Sequence, residues 1–472
     1  MKIFGRYIAL PFVLLAALDC VVFFAVLQTL NLSSHCRGCY FYFGTVISLD
    51  FHEVALLTGA FMLIATAVGL YNRDAVQDFP TFLKRFFLTW QFIFVPAVVV
   101  TAVTKTAAGV PFGWFVGVLS LAIALFMLPL FVTRVLMVWC LRTPFVKKRV
   151  LVLGAGVKAD TTAAFITGPG RSHLSFVRTI AHGRTPAPAA ARSNLAVKLE
   201  GEPTPILTIA QSLRVDEIVV AAEDTDNLPM WELLECKLNG IDVVDYLSFW
   251  EREGGLVDFT HAGPGWFAFS EGFLLNQPRR FLKRLADFSV SLGFLVAFLP
   301  VILLTMLAIR LESRGPIFYR QERVGLNGKV FKVWKFRSMR VDAESDGTPR
   351  WASTTDDRVT RVGRFIRKVR IDEIPQIINV LSGDMSFIGP RPERPFFVEQ
   401  LSKAIPYYDL RHRVKPGITG WAQINYPYGA SIEDAKRKLA YDLYYVKKND
   451  VFLDFTILIQ TVRVILFAQG GR

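Results

Sequence analysis

Two adjacent carboxylates, Asp372 and Glu373, stand in the run Arg370-Ile371-Asp372-Glu373-Ile374-Pro375-Gln376. Ile374, Ile377, Ile378 and Leu381 follow at i, i+3, i+4 and i+7, the apolar stripe of a helix. Pro375 is tolerated only in the first turn of that helix. The spacing therefore puts the carboxylates at a helix start, where free N–H groups and the positive dipole end favour anions. Cations crowd the approach: Arg361, Arg364, Arg367, Lys368 and Arg370 lie upstream, and Arg391 follows in Gly389-Pro390-Arg391-Pro392. An Asp-Glu pair before a helix is ordinarily a cap. In this cationic setting it suggests phosphate or pyrophosphate chemistry. Upstream, Lys335 and Arg337 stand two apart, on one face if Phe331–Met339 is a strand. Two cations on one face suit a diphosphate, although a solvated strand face has the same pattern.

The elements that must position these residues start with the membrane. The chain has 472 residues, enough for two or three units, is 52% hydrophobic and carries a net charge of +14. That combination points to a membrane protein with lipid or phosphorylated partners. No basic array interleaved with aromatics is present, so nucleic acid is excluded as a partner. Four apolar runs, 8–30, 54–71, 86–104 and 110–132, each approach the roughly 20 residues of a spanning helix. The first is too long, and lacks the small-residue cleavage site, for a signal peptide. Arg73, Lys84 and Arg85 follow the second run, and Arg142, Lys147, Lys148 and Arg149 follow the fourth. The positive-inside rule then gives four spans with both ends cytoplasmic. Five scattered cysteines imply no disulfide framework; Cys36-Arg37-Gly38-Cys39 reads as a local disulfide or two idle thiols.

Arg149–Leu153 reads as a buried strand entering Gly154-Ala155-Gly156-Val157-Lys158-Ala159, a G-x-G-x-x-A dinucleotide fingerprint in form. The acidic residue expected about 20 positions on is missing, because Leu174–Ile180 runs into Ala181-His182-Gly183. Further strands at Glu217–Ala222 and Asp242–Tyr246 complete a small α/β unit, with Thr185–Arg192 a surface loop. The expected unit is Rossmann-like and non-catalytic. Next comes an apolar run, Phe288–Ile309, long enough to span. Lys283 and Arg284 before it and Arg310 and Arg314 after it oppose crossing, and Pro300 near its middle would kink or break a helix. A broken, re-entrant or interfacial helix with snorkelling cations at its mouth is expected.

From 278 to 468 the residues resemble the bacterial sugar transferase family, the monotopic phosphoglycosyl transferases that start exopolysaccharide and O-antigen repeat units. The resemblance rests on Lys283-Arg284 with Pro300, Gly315-Pro316, Lys335-Phe336-Arg337-Ser338-Met339, Asp372-Glu373-Ile374-Pro375-Gln376 and Gly383-Asp384-Met385-Ser386. It continues through Gly389-Pro390-Arg391-Pro392, Lys415-Pro416-Gly417-Ile418-Thr419-Gly420-Trp421 and Tyr441-Asp442-Leu443-Tyr444-Tyr445. With its front half, the chain looks like the long polyisoprenyl-phosphate hexose-1-phosphate transferase branch. Many members continue Trp421-Ala422-Gln423 with Asn-Gly-Arg; here Ile424-Asn425-Tyr426-Pro427-Tyr428 stands instead, similar to the exosortase-associated type.

The resemblance implies an α/β fold with membrane helices: a four-helix transmembrane region over 1–143, a Rossmann-like, CoA-binding-like module over 144–270, and a catalytic domain over 278–472 with a re-entrant helix at 284–312. It implies transfer of a sugar 1-phosphate from a UDP-sugar to polyprenyl phosphate, with release of UMP, at the bacterial inner membrane. By resemblance Asp372 is the nucleophile, Glu373 binds Mg²⁺, Lys335, Arg367 and Arg391 contact phosphate, and Gln376 and Asp442 support the site. A homodimer is compatible with this architecture. Two rivals remain. A nucleotide-sugar dehydratase or oxidoreductase would use the Gly154 loop, but it needs a Tyr-x-x-x-Lys pair that 149–265 does not supply. A non-enzymatic scaffold in polysaccharide export would not need the Asp372–Arg391 constellation.

Overall fold

The computed structural model describes residues 2–3, 6–7, 15–25, 51–70, 80, 82–89, 91–92, 129, 131–133, 147–168, 173–181, 205–224, 228–273, 277–340, 358–426, 429 and 431–466. They fall into two compact units that divide between Phe249 and Trp250. The expected boundary lay further on, at 270–278. Val257 and Phe259 belong to the core of the second unit.

In the first unit, helix α1 (Leu15–Ala25) lies within the first apolar run and α2 (Phe51–Val68) overlaps the second. They pack through the stacked rings of Phe23 and Phe61, 4.4 Å apart. Buried Asp19 accepts a hydrogen bond from Thr133 at 3.1 Å. Most of the third and fourth runs and the Cys36–Cys39 motif lie outside the described residues. Among the described residues one helix, in the second unit, is long and apolar enough to cross a membrane.

The rest of the unit is a four-stranded parallel sheet. Strands β1 (Lys148–Leu153), β2 (Leu174–Ile180), β3 (Glu217–Val220) and β4 (Asp242–Asp245) are ordered β2-β1-β3-β4. Helices α3 (Val157–Thr167), α4 (Ile206–Ser212) and α5 (Met230–Leu238) connect them. Val150, Leu151, Val152 and Leu153 are all fully buried, the continuous apolar pattern of a strand covered on both faces. The strands fall where the apolar runs placed them.

The longest helix of the second unit, α6 (Gln277–Glu312), continues through Pro300. Proline removes one hydrogen bond from the helix ladder, but the helix does not end there. Two strands, β5 (Phe318–Val324) and β6 (Val330–Phe336), form an antiparallel hairpin. Its turn has Asn327 at φ 53° and Gly328 at φ 78°, both left-handed as a tight hairpin requires. Next come α7 (Arg361–Lys368), a 3₁₀ turn at Ile371–Gln376 and α8 (Ile377–Ser382). The parallel strands β7 (Ser386–Ile388) and β8 (Gly417–Thr419) and helices α9 (Ile432–Lys448) and α10 (Val451–Leu466) follow. The main core lies between α9, α10 and β7, around Leu443, Tyr445, Phe387 and Ile457. A Cβ on Gly417 would fall on the backbone nitrogen of Gly389, so the two glycine motifs interlock only without side chains.

Both ends of α6 are fastened to this same unit. At its start Arg284 donates to the carbonyls of Val380 and Leu381 at 2.5 and 2.7 Å, and buried Asp287 accepts from Ser386 Oγ and Phe387 N, each at 2.9 Å. Lys283 joins Asp454 at 2.6 Å and Tyr445 at 3.0 Å. Of the expected snorkelling cations, Lys283 and Arg284 are therefore anchors turned into the fold, whereas Arg310 and Arg314 stay exposed. At its end Ile309 packs on Phe336 and Ile366, and Glu312 accepts from the free N–H groups of Arg361 and Val362 at the start of α7. Between these ends Val296, Leu299, Leu303, Leu304 and Leu307 are exposed.

Candidate active site

Asp372 and Glu373 sit in the 3₁₀ turn, one turn before α8. The helix that the isoleucine spacing predicted is only six residues long, and Ile378 of its stripe is exposed. So short a helix carries little dipole, and the electrostatics of the site come from side chains. Arg370, just before the turn, takes a left-handed φ of 57°. Asn379 fixes the turn from behind. Its side chain accepts from Trp334 N and donates to Lys332 O, each at 2.9 Å, closing the free edge of β6 as a further strand would.

The two carboxylates have opposite surroundings. Glu373 is buried, and Arg391 grips both of its oxygens. Lys335 reaches Oε1 at 3.1 Å, and Arg370 reaches Oε2 at 3.6 Å. Burial opposes its ionisation, but Arg391 and then Lys335 outweigh burial and hold the carboxyl well below the usual range. The Asp372 side chain makes no hydrogen bond or ion pair among the described residues. Burial, then the charge of Glu373, raises its pKa to about 6, against the pull of Lys335, Arg367 and Arg391. Burial outweighs the nearby cations, yet at neutral pH most of the carboxyl is still ionised. Arg367 likewise has no side-chain partner among the described residues. The site thus holds one locked carboxylate, one open carboxylate and one open guanidinium.

The structure does not bring every expected residue to this point. Arg337 lies just beyond the end of β6, where strand alternation no longer applies. Its guanidinium donates to the carbonyls of Arg314 and Ser313, at 3.1 and 2.8 Å, and ties down the chain after α6. Gln376 is buried in the same turn as the carboxylates, with no side-chain hydrogen bond among the described residues. Asp442 is buried and pairs with Arg411 at 2.8 Å. Arg411, Arg323 and Asn379 were not singled out from the sequence. Arg411 stands in Arg411-His412-Arg413, which reads as a surface basic run.

Magnesium is the ion that the resemblance implies. Among the described residues no group of three or more His, Cys, Asp or Glu side chains could hold an ion. Both Glu373 oxygens are engaged by cations, whereas those of Asp372 are open. Magnesium is commonly held by one or two carboxylates and completed by substrate phosphates. The residues fit that arrangement through Asp372; Glu373 joins only by releasing Arg391 or Lys335.

The Gly154 loop of the first unit is a different matter. It lies where β1 and β3 diverge in strand order, the usual ligand crevice of a parallel sheet. Here the Glu223 carboxylate occupies the start of α3: Oε1 accepts from Lys158 N at 3.2 Å, and Oε2 lies 3.9 Å from Lys158 Nζ. The segment after β3 thus supplies an anion to the loop. Titration with NAD(H) should therefore give no heat and no change in transfer activity. Tight binding on which transfer depended would contradict this reading.

Comparison with known proteins then decides the family. The profile described as bacterial sugar transferase matches residues 278–468. An uncharacterized sugar transferase of Bacillus subtilis (strain 168) is 41% identical over 193 residues, which are 40% of this chain and 89% of that protein. The chain belongs to the bacterial sugar transferase family. Two longer relatives of this family carry activities in their names. The UDP-N-acetylgalactosamine-undecaprenyl-phosphate N-acetylgalactosaminephosphotransferase of Aeromonas hydrophila is 41% identical over 264 residues, 55% of this chain and 61% of the relative. The UDP-glucose:undecaprenyl-phosphate glucose-1-phosphate transferase of Escherichia coli (strain K12) is 45% identical over 190 residues, 40% of this chain and 41% of the relative. The chain thus spans less than two thirds of either. The transferase match contains the Asp372–Glu373 turn, Arg391 and Asp442, and it leaves out the Gly154 loop.

Proposed function

We propose that this protein transfers a sugar 1-phosphate from a UDP-sugar to a polyprenyl phosphate, releasing UMP, as the first membrane step of exopolysaccharide or O-antigen assembly. The observation that carries the proposal is the pairing of an open carboxylate, Asp372, with a cation cluster fixed by its neighbour Glu373. The names of the relatives support the same reaction.

In this mechanism an Asp372 oxygen attacks the sugar-bearing phosphorus of the donor. The bond from that phosphorus to the bridging oxygen breaks, and UMP leaves with the electron pair. The resulting acyl phosphate is then attacked by a phosphate oxygen of the acceptor, which regenerates the carboxylate and yields the sugar diphosphate lipid. Two steps through a carboxylate replace one difficult transfer between two anions. Arg367, with its open guanidinium, and Arg391 and Lys335 at the edge of the cluster neutralise the phosphoryl oxygens. Asp372, together with the donor phosphates, would hold magnesium, which would supply further neutralisation of the phosphoryl charge. UMP release, assayed over a panel of UDP-sugars with undecaprenyl phosphate, tests the function. Acceptor-dependent UMP from at least one donor is expected; none from any would refute it.

We also infer that the protein is multi-pass in the inner membrane, with a Rossmann-like module and the catalytic unit on the cytoplasmic side. In this reading α6 enters and leaves the bilayer on that side. At 36 residues the helix would be about 54 Å long if straight, against roughly 30 Å of hydrocarbon. Attachment of both its ends to one compact unit favours re-entry over crossing. Single cysteines at Arg280 and Arg314, in a background lacking the native cysteines, should both be labelled only from the cytoplasm. Labelling of position 314 from outside would overturn re-entry.

A further inference from the structure

Arg391 lies between two prolines, so its segment has a stiff backbone: Pro390 fixes its own φ, and Pro392 holds Arg391 extended. What remains free is the orientation of the whole segment, and three successive carbonyls set it. Pro390 O accepts from Gly417 N at 2.9 Å. Arg391 O accepts from Arg411 Nη2 at 2.9 Å, and Pro392 O accepts from Arg323 Nη1 at 3.0 Å. Each of these arginines has its own carboxylate. Arg411 binds Asp442 through Nε at 3.1 Å and Nη2 at 2.8 Å, and it also donates to the Tyr408 hydroxyl at 2.8 Å. Arg323 lies 3.6 Å from Glu393.

We propose that Arg411, with Arg323 beside it, is a positioning residue: the two arginines grip the backbone of the Pro-Arg-Pro segment and so aim the Arg391 guanidinium at Glu373 and the donor phosphate. The inference rests on the transfer reaction proposed above for its effect on rate, but not for its effect on Arg391 itself. Burial supports it. The side chains of Arg411 and Asp442 are 6% and 2% exposed. A buried ion pair gains little over apolar packing of the same volume, so stability alone does not account for it. The carbonyl it holds belongs to the residue that clasps Glu373.

The test replaces the network by apolar groups of similar size, with Arg411→Met, Asp442→Leu and Tyr408→Phe combined. This leaves no orphaned charge, so the fold is expected to survive. Two readouts are taken. The first is the Arg391 Nε–H resonance in ¹⁵N-arginine spectra, assigned with Arg391→Lys. It should be sharp and slow to exchange in wild type, and broadened or fast to exchange in the triple variant. The second is transfer kinetics: kcat should fall about 100-fold, as small misplacements of catalytic groups do, with a smaller change in KM. Arg411→Lys keeps a donor for the carbonyl and should recover part of both. An unchanged Arg391 resonance with wild-type kcat in the folded triple variant would overturn the proposal. If the triple variant does not fold, Arg411→Lys decides: lowered kcat and faster Arg391 exchange at an unchanged melting temperature support positioning, and wild-type values refute it. If wild type itself transfers no sugar phosphate, the functional reading falls, and the Arg391 resonance still decides the clamp.

Discussion

Asp372→Asn should abolish turnover and leave the protein at least as stable as wild type. The substitution keeps the shape and removes the attacking oxyanion, so activity should drop to background. The stability half follows from burial. The folded Asp372 carboxyl is raised from 3.8 to about 6. The native state therefore holds this proton more tightly than the unfolded chain, and stability is lost as pH rises through that window. At neutral pH the charged side chain costs on the order of 1–3 kcal/mol, which a neutral amide avoids. Thermal melts at pH 7 should show an unchanged or higher midpoint for the variant. For wild type, turnover should fall as pH drops below about 6, where the free carboxyl protonates. A variant that melted far below wild type would make Asp372 a structural residue.

Glu373→Gln should act in the opposite sense on stability. It leaves Lys335, Arg391 and Arg370 gathered around a neutral amide. Removing one partner of a buried charge cluster costs about 3–5 kcal/mol, or roughly 10 °C in a unit of this size. Turnover should also fall, by about 100-fold, because Arg391 and Lys335 lose the group that aims them. The depressed carboxyl contributes its full stabilisation above the unfolded value of 4.5 and loses it as pH falls toward the folded value. Wild type should therefore lose stability below about pH 4.5 more steeply than the variant. A variant that kept the wild-type midpoint and changed only its magnesium dependence would assign Glu373 to the ion rather than to the cation cluster.

Features set by local chemistry were legible in the sequence. The strands at Lys148–Leu153 and Glu217–Val220 contain the continuous apolar runs Val150–Leu153 and Ile218–Val220, and the Asn327-Gly328 turn announces its hairpin. The carboxylates stood out because cations surround them in sequence as well as in space. Long-range pairings were not legible. Nothing near Arg411 shows that Asp442 and the carbonyl of Arg391 lie beside it. Lys283 and Arg284 look like membrane-mouth cations, and only the fold shows them turned toward Asp454 and the end of α8. Arg337 was misplaced because β6 stops one residue before it. The raised pKa of Asp372 was also hidden, since charge counting registers the arginines and not the burial.

The most direct test of the account is capture of the covalent intermediate. Wild type is mixed briefly with radiolabelled UDP-sugar and magnesium, without acceptor, and quenched. Label should remain on the protein, be released by hydroxylamine as an acyl phosphate is, and be absent from Asp372→Asn. Addition of polyprenyl phosphate before the quench should move it to lipid-linked sugar phosphate, with ping-pong kinetics in steady state. Strictly sequential kinetics with no trapped label, or substantial turnover by Asp372→Asn, would contradict the assignment of Asp372 as the nucleophile.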